Sequence, residues 1–297
     1  MRHVVGARPM VSQLSLSLAR WTQRHARLPG RPPHTFYGVA PAPLILSHRG
    51  ARTQRAENTV GAFVLGMQQG AHGAELDVHL TADRQVVVFH DTHLGKLGQP
   101  NTAIHQCTLA QLQALNVATL VKDGPPQAGH VAMPTLAQVL DALPAPARVN
   151  VELKGGDLLR EDGLEVEVLR VVARARAESR VIYSAFHPAR LFRLRRLAPD
   201  AWVGMLHEAE QAAPLAHLYL LPAVAPHAVH PHFSMVDDAY MAHARDLGLA
   251  VHVWTVNDPA QMVRLRALGV DAIITDVPDL AVATLQPHAP SSAGTPA

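Results

Sequence analysis

The chain predicts a (β/α)8 TIM barrel, on three observations. From Leu44 onward, short apolar runs alternate with amphipathic stretches, and Gly or Pro closes nearly every unit. Counting the runs that precede helices gives about eight, near residues 46, 76, 151, 183, 204, 220, 253 and 274. Polar residues gather where these runs stop: His48 and Arg49, Glu75 and Asp77, Glu152 and Lys154, Thr255 and Asn257, Thr275 and Asp276. Barrel enzymes place their chemistry at that end of the strands. The competing fold is an open doubly wound sheet, but no Gly-x-Gly-x-x-Gly motif or phosphate-loop lysine follows the first strand.

Taken in order, LILSHRG is a buried strand that stops at His48-Arg49-Gly50. Asn58 or Thr59 caps the helix that follows, and Gly70 or Gly73 ends it. AELDVHL and QVVVFHD are strands joined by the turn from Thr81 to Arg84, too short for anything but an antiparallel hairpin. Residues 92–134 carry weak periodicity and one short helical piece, LAQLQAL, and read as a small insertion after the second strand. A steady strand–helix alternation then runs from PTLAQVLDALP to LAVATLQ, with LYLLPAV as the sixth barrel strand. The expected units are an amino-terminal extension over 1–42, a barrel over 43–286 and a Pro- and Ser-rich tail over 287–297, both ends disordered.

Composition removes several function classes. Apolar residues are 48% and charged residues 17%, enough for a large core and against wholesale disorder. The formal net charge is +2, and Arg2, Arg8, Arg20, Arg24, Arg27 and Arg31 all precede the predicted barrel, so the barrel itself is acidic in balance. No basic stripe marks a nucleic-acid surface. The single Cys107 rules out an internal disulfide and a Cys-based metal site. No apolar run is long enough to span a membrane, and the amino end lacks a convincing signal peptide, so a cytoplasmic location is expected.

The residues between Leu46 and Asp91 carry the densest chemistry. Glu75 and Asp77 lie two apart on one strand, so both carboxylates leave the same face. Carboxylates that close repel unless a cation stands between them. Glu152 adds a third from the next full strand. Three oxygen donors without cysteine suit a hard divalent cation, Mg²⁺ or Ca²⁺. With Ala82 and Asp83 as a two-residue loop, His90 stands opposite Glu75, and His48 arrives from the neighbouring strand. Two imidazoles beside a phosphate can serve as general acid and general base near neutral pH, with His90 as the acid. Arg49 and Lys154 supply positive charge for the phosphate. Phe186 and Trp254 follow strands and are candidate pocket-lining aromatics. His79 lies past the barrel end, and His227, His230 and His232 lie around two prolines in a loop, so structural or surface roles are expected for that cluster.

These residues stand in motifs that resemble the glycerophosphodiester phosphodiesterase family: His48–Gly50, Glu57–Thr59, Glu75–Asp91, Pro134–Leu136, Val151–Lys154, Ser184–Phe186, Val253–Asn257 and Ile274–Pro278, in that order across about residues 44–280. The resemblance implies a TIM barrel that hydrolyses glycerophosphodiesters, such as those of choline or ethanolamine, to sn-glycerol 3-phosphate and an alcohol. It implies a divalent cation on Glu75, Asp77 and Glu152, catalysis by His48 and His90, phosphate contacts from Arg49 and Lys154, and a glycerol pocket bordered by Phe186 and Trp254. The partner implied is a small-molecule substrate. A lysophospholipase D or sphingomyelinase D-like activity on the same barrel is the alternative, and a non-catalytic scaffold that binds a phosphorylated ligand is the reading outside enzymology. One departure stands out: the family usually has Gly after the Asp of the hairpin turn, where this chain has Arg84.

Overall fold

The structure is a computed structural model of the chain, described here for residues 29–30, 34–37, 43–155, 161–211 and 220–286. The expected extension therefore falls largely outside the described residues, and the expected tail wholly so. Eight parallel strands close into a barrel: β1 (Leu44–His48), β2 (Gly73–Leu80), β6 (Arg148–Leu153), β7 (Val181–Ala185), β8 (Trp202–His207), β9 (Ala228–Pro231), β10 (Ala250–Val253) and β11 (Ala272–Thr275). They lie side by side in that order, and pairing of β1 with both β2 and β11 leaves no open edge. Helices return the chain from strand to strand: α2 (Val60–Gln68), α4 (Leu136–Ala142), α5 (Leu164–Arg174), α6 (Pro188–Leu197), α8 (Asp238–Asp246), α9 (Pro259–Leu268) and α10 (Pro278–Leu285). No helix among the described residues is long and apolar enough to cross a membrane.

Strand alternation sorts the core into two shells. Ile45, Leu76, Val149, Tyr183 and Val229 face outward and pack under the helices. Leu44, Leu46, Ile182, Ala228, Ala250, Ala272 and Ile274 face the barrel axis. The three alanines leave room at the amino end, where α1 (His34–Tyr37) inserts Phe36. The Phe36 ring is fully buried and meets Trp202 edge-on at 5.1 Å.

The insertion between β2 and α4 holds β3 (Val86–Val88), β4 (His93–Leu94), β5 (Gln99–Ala103) and α3 (Leu109–Gln113), the last being the short helix expected there. It has its own apolar centre, built on Phe89, Leu94, Ile104, Leu112 and Met133.

Two expectations are corrected. LYLLPAV is not the sixth strand: Leu221–Val224 forms the helical turn α7, and residues 212–219 lie outside the described residues. The strand is β9, four residues flanked by Pro226 and containing Pro231. Its inward residues are Ala228 and His230, a small residue and a histidine rather than large aliphatics, which disguised it as loop. His230 thus sits in the barrel core, fully buried. The hairpin register also differs by one residue. Val78 pairs with Val88, and Thr81 pairs its N–H to Gln85 O at 3.0 Å, so the loop is Ala82–Arg84. Arg84 has φ +58°, the left-handed position that closes a three-residue hairpin loop and that Gly fills without strain. Asp83 secures the loop by accepting from the Thr81 hydroxyl at 2.6 Å and from Leu109 N–H at 3.0 Å.

Gly204 in β8 is required by close approach. A Cβ there would stand 2.2 Å from His230 Nε2. Gly204→Ala is expected to destabilise the barrel by about 1–3 kcal/mol through overpacking. Urea denaturation checks it, and the double variant with His230→Ala should lose less than the two single changes together.

Candidate active site

Register brings the polar strand ends together. His48 at the end of β1 pairs with Glu75 on β2, and Asp77 on β2 pairs with Glu152 on β6. The residues after β1 turn sharply. Arg49 takes a left-handed conformation with φ +56°, held by its N–H to Glu75 O and by its carbonyl accepting from Asn58 N–H, each at 2.9 Å. Such backbone costs on the order of 1 kcal/mol for a non-glycine residue. It aims the guanidinium back over β2, with Nε 3.2 Å from Asp77 Oδ2.

The carboxylates of Glu75, Asp77 and Glu152 are all buried, each with an oxygen within 4.8 Å of the others. Lys154 Nζ stands 2.8 Å from Asp77 Oδ1 and 2.6 Å from Glu152 Oε1. Asn58 donates to Asp77 Oδ2 at 2.8 Å. Arg49 and Lys154 are thus two cations against three carboxylates, and the electrostatics divide accordingly. Burial works to raise Asp77, but Lys154 and Arg49 outweigh it and hold that carboxyl well below its ordinary range. Burial and the neighbouring carboxylates push Glu75 well up, and burial pushes Glu152 up to about 7. Glu75 Oε2 is buried without a hydrogen-bond partner. An all-oxygen cluster with an unpartnered buried carboxylate oxygen and an excess of negative charge fits a hard divalent cation.

Each candidate histidine is oriented by a carboxylate. His48 Nδ1 lies 2.6 Å from Asp276 Oδ1, so Nδ1 carries the proton and Nε2, 3.8 Å from Glu75 Oε2, is left as acceptor. Burial lowers His48 to about 4 despite Asp276, so the imidazole is neutral at neutral pH. His90 Nδ1 lies 2.5 Å from Asp91 Oδ1. Burial lowers this group too, against the pull of Asp77. β3 ends at Val88, so His90 lies outside the ladder and reaches the site because the chain leaves the sheet there. Its carbonyl rests 3.2 Å from His79 Nε2, giving that buried imidazole a supporting place behind His90.

His48, Arg49, Glu75, His90, Glu152, Lys154, Phe186 and Trp254 all line one cavity of about 100 Å³, while Asp77 lies fully buried behind it. The Phe186 and Trp254 rings meet edge-on at 5.4 Å, and Trp254 Nε1 donates to His230 O at 2.7 Å. All nine candidates therefore converge. What the sequence reading left without a role is the ring of residues that holds them. Asp276 accepts from His48 and from Asn257 Nδ2 at 2.7 Å, and pairs with Lys122 and Arg52. Glu57 ties Arg49 and Lys96, at 3.4 and 3.3 Å, and pairs with Arg52. The sequence signals for these were position, since Asp276 follows the last strand and Glu57 follows the first, and their place in the motifs Ile274–Pro278 and Glu57–Thr59.

A sequence model of the glycerophosphoryl diester phosphodiesterase family matches residues 48–280, which span every strand of the barrel from the end of β1 and every candidate side chain. The chain belongs to that family. It is an enzyme, a phosphoric diester hydrolase of the glycerophosphodiester phosphodiesterase class. A glycerophosphodiester phosphodiesterase of Caldanaerobacter subterraneus subsp. tengcongensis is 31% identical over 237 residues, covering 80% of this chain and 95% of that protein. Among solved structures, a phosphodiesterase of Oleispira antarctica in complex with the product sn-glycerol-3-phosphate aligns with a TM-score of 0.68 at 26% identity, covering 82% of this chain and 96% of that one. The glycerophosphodiester phosphodiesterase of Thermotoga maritima aligns with a TM-score of 0.64 at 25% identity, covering 82% and 98%.

Two expectations follow. Asp276→Asn replaces an acceptor-only carboxylate with an uncharged amide that can also donate, so the His48 tautomer is no longer fixed, and kcat should fall by about 10²-fold or more with the fold intact. Steady-state kinetics beside thermal melting separate the two effects. The second concerns pH. Because Glu152 is raised to about 7, the folded state holds a proton there that the unfolded chain releases near pH 4.5. Its contribution to stability is therefore lost as pH rises from about 4.5 to 7. A cation competes with that proton, so the rise in melting temperature on adding Mg²⁺ or Ca²⁺ should be larger at pH 7.5 than at pH 5.5.

Proposed function

We propose that this enzyme hydrolyses glycerophosphodiesters to sn-glycerol 3-phosphate and an alcohol, with His48 and His90 as the acid–base pair and a divalent cation on Glu75, Asp77 and Glu152. We assign the catalytic unit to residues 43–286. The observation that carries the reading is the convergence, on one cavity, of two carboxylate-oriented imidazoles and a buried three-carboxylate cluster. The product complex of the Oleispira antarctica relative supports the same product here.

When bound, the cation would polarise a phosphoryl oxygen and offset the charge that grows on it. Lys154, kept protonated by Asp77 and Glu152, and Arg49 face the same cavity and add positive charge there. His48, neutral with its Nδ1 proton committed to Asp276, takes a proton at Nε2 from the attacking hydroxyl; water gives glycerol 3-phosphate directly, whereas the glycerol 2-hydroxyl gives a cyclic phosphodiester that a water must then open to the same product. His90 returns a proton to the departing alcohol oxygen. The negative phosphodiester beside His90 favours its charged form and offsets the lowering by burial. Phe186 and Trp254 supply apolar faces for the glycerol carbons.

The test is release of glycerol 3-phosphate from glycerophosphocholine. EDTA should abolish it, and Mg²⁺ or Ca²⁺ should restore it. His48→Ala and His90→Ala should each lower kcat by about 10²–10⁴-fold. Near-wild-type turnover by either folded variant would refute the acid–base pair.

A further inference from the structure

Asp276 orients His48, and its own support is uneven. Its Oδ1 faces His48 Nδ1 and, at 3.5 Å, Nη1 of Arg52, a guanidinium already paired with Glu57. Its Oδ2 accepts from Asn257 Nδ2 at 2.7 Å and from the Lys122 ammonium. Asn257 also accepts the Asp276 N–H at 2.9 Å, so it fixes the carboxylate in place, but a neutral amide does not balance its charge. Lys122 is the cation that hydrogen-bonds to Asp276, the Arg52 contact being longer.

The backbone sets the ammonium there. Lys122 belongs to the insertion, between the matched motifs Glu75–Asp91 and Pro134–Leu136, and lies 154 positions from Asp276. Its N–H donates to Arg52 O, and Leu120 O accepts from Glu57 N–H, each at 2.8 Å. Ala56 N–H donates to Gln127 Oε1 at 2.6 Å. These bonds zip the segment 120–127 to the loop after β1, so a long, flexible side chain starts from a fixed point. An ionised Asp276 can only accept, which keeps the His48 proton on Nδ1 and leaves Nε2 to take another. Burial works against that charge, but His48, Lys122 and Arg52 outweigh it and hold the Asp276 carboxyl below its ordinary range. While His48 is neutral, the buried charge must be met from elsewhere, and the ammonium meets it.

We infer that Lys122 is a positioning residue for the reaction: it holds Asp276 ionised and turned toward His48, and so acts on turnover through the imidazole without touching substrate. This rests on the proposed role of His48 and adds to it a residue outside the matched motifs. Lys122 is not among the residues that line the cavity of about 100 Å³, so its loss should act on kcat and leave KM nearly alone.

The test is steady-state release of glycerol 3-phosphate from glycerophosphocholine by the full chain with divalent cation, beside thermal melting. Lys122→Met keeps the length of the side chain and removes its charge; Lys122→Arg keeps the charge. Lys122→Met should lower kcat by about tenfold or more and change KM by less than about threefold, and Lys122→Arg should lose clearly less. On the Asp276→Asn background, Lys122→Met should cost less than about twofold, because the group it acts through is already gone. Lys122→Gln is read by the same criteria if Lys122→Met folds poorly. A folded variant with kcat within about twofold of the wild type, an equal loss on both backgrounds, a loss carried by KM, or Lys122→Arg as slow as Lys122→Met overturns the inference and leaves the hydrolytic reading standing. Loss of folding in both Lys122→Met and Lys122→Gln gives Lys122 a structural role only and overturns it as well. Absence of glycerol 3-phosphate with the wild type overturns the hydrolytic reading itself, and this role with it.

Discussion

Glu75, Asp77 and Glu152 bury three carboxylates against one another with two cations, Lys154 and Arg49, set among them, and the surrounding structure answers to that imbalance. Neither Glu75 nor Glu152 sits comfortably ionised, whereas Asp77 is held ionised by Lys154 and Arg49. A buried charge without compensation costs several kcal/mol, so the register of β1, β2 and β6 must be held against a local repulsion. Barrel closure does this, because strands paired on both sides cannot slide apart. The left-handed turn at Arg49 serves the same end by carrying a guanidinium to Asp77.

The two histidine–carboxylate pairs are alike in form and different in setting. His48 is mostly buried, and its partner Asp276 is itself held by Asn257, Lys122 and Arg52. His90 is about one third exposed, with Asp91 open to solvent beside it. A buried neutral imidazole suits proton capture from a hydroxyl in a closed cavity. An imidazole at the rim suits proton delivery to a group that must leave. The insertion reaches both pairs: Lys122 pairs with Asp276, and Lys96 joins Asp91 to Glu57. It is thereby tied into the candidate site rather than an appendage to the barrel.

Seven of the eight barrel strands were legible, because buried parallel strands read as short apolar runs between helix signals. β9 was not, since its inward positions are an alanine and a histidine and prolines sit at and near its ends. Period alone cannot tell such a segment from a loop, and the aliphatic LYLLPAV nearby was the more persuasive candidate. The hairpin register slipped by one for a related reason. Arg84 occupies a left-handed position, and nothing in its side chain announces that.

The nine candidate residues were legible as a group because polar side chains at a barrel's strand ends are a matter of order along the chain. Strand parity alone put Glu75 and Asp77 on one face, and the ordered motifs identified the family. The sequence by itself thus determined the fold class, the reaction class and the candidate side chains gathered at one cavity. Only the tertiary structure decided what holds those side chains in place. Asp276 lies 228 positions from His48 yet 2.6 Å from it, and Lys122 arrives from an insertion with little periodicity. Orientation and burial depend on which distant segments the closed barrel brings together, and local pattern carries no record of that.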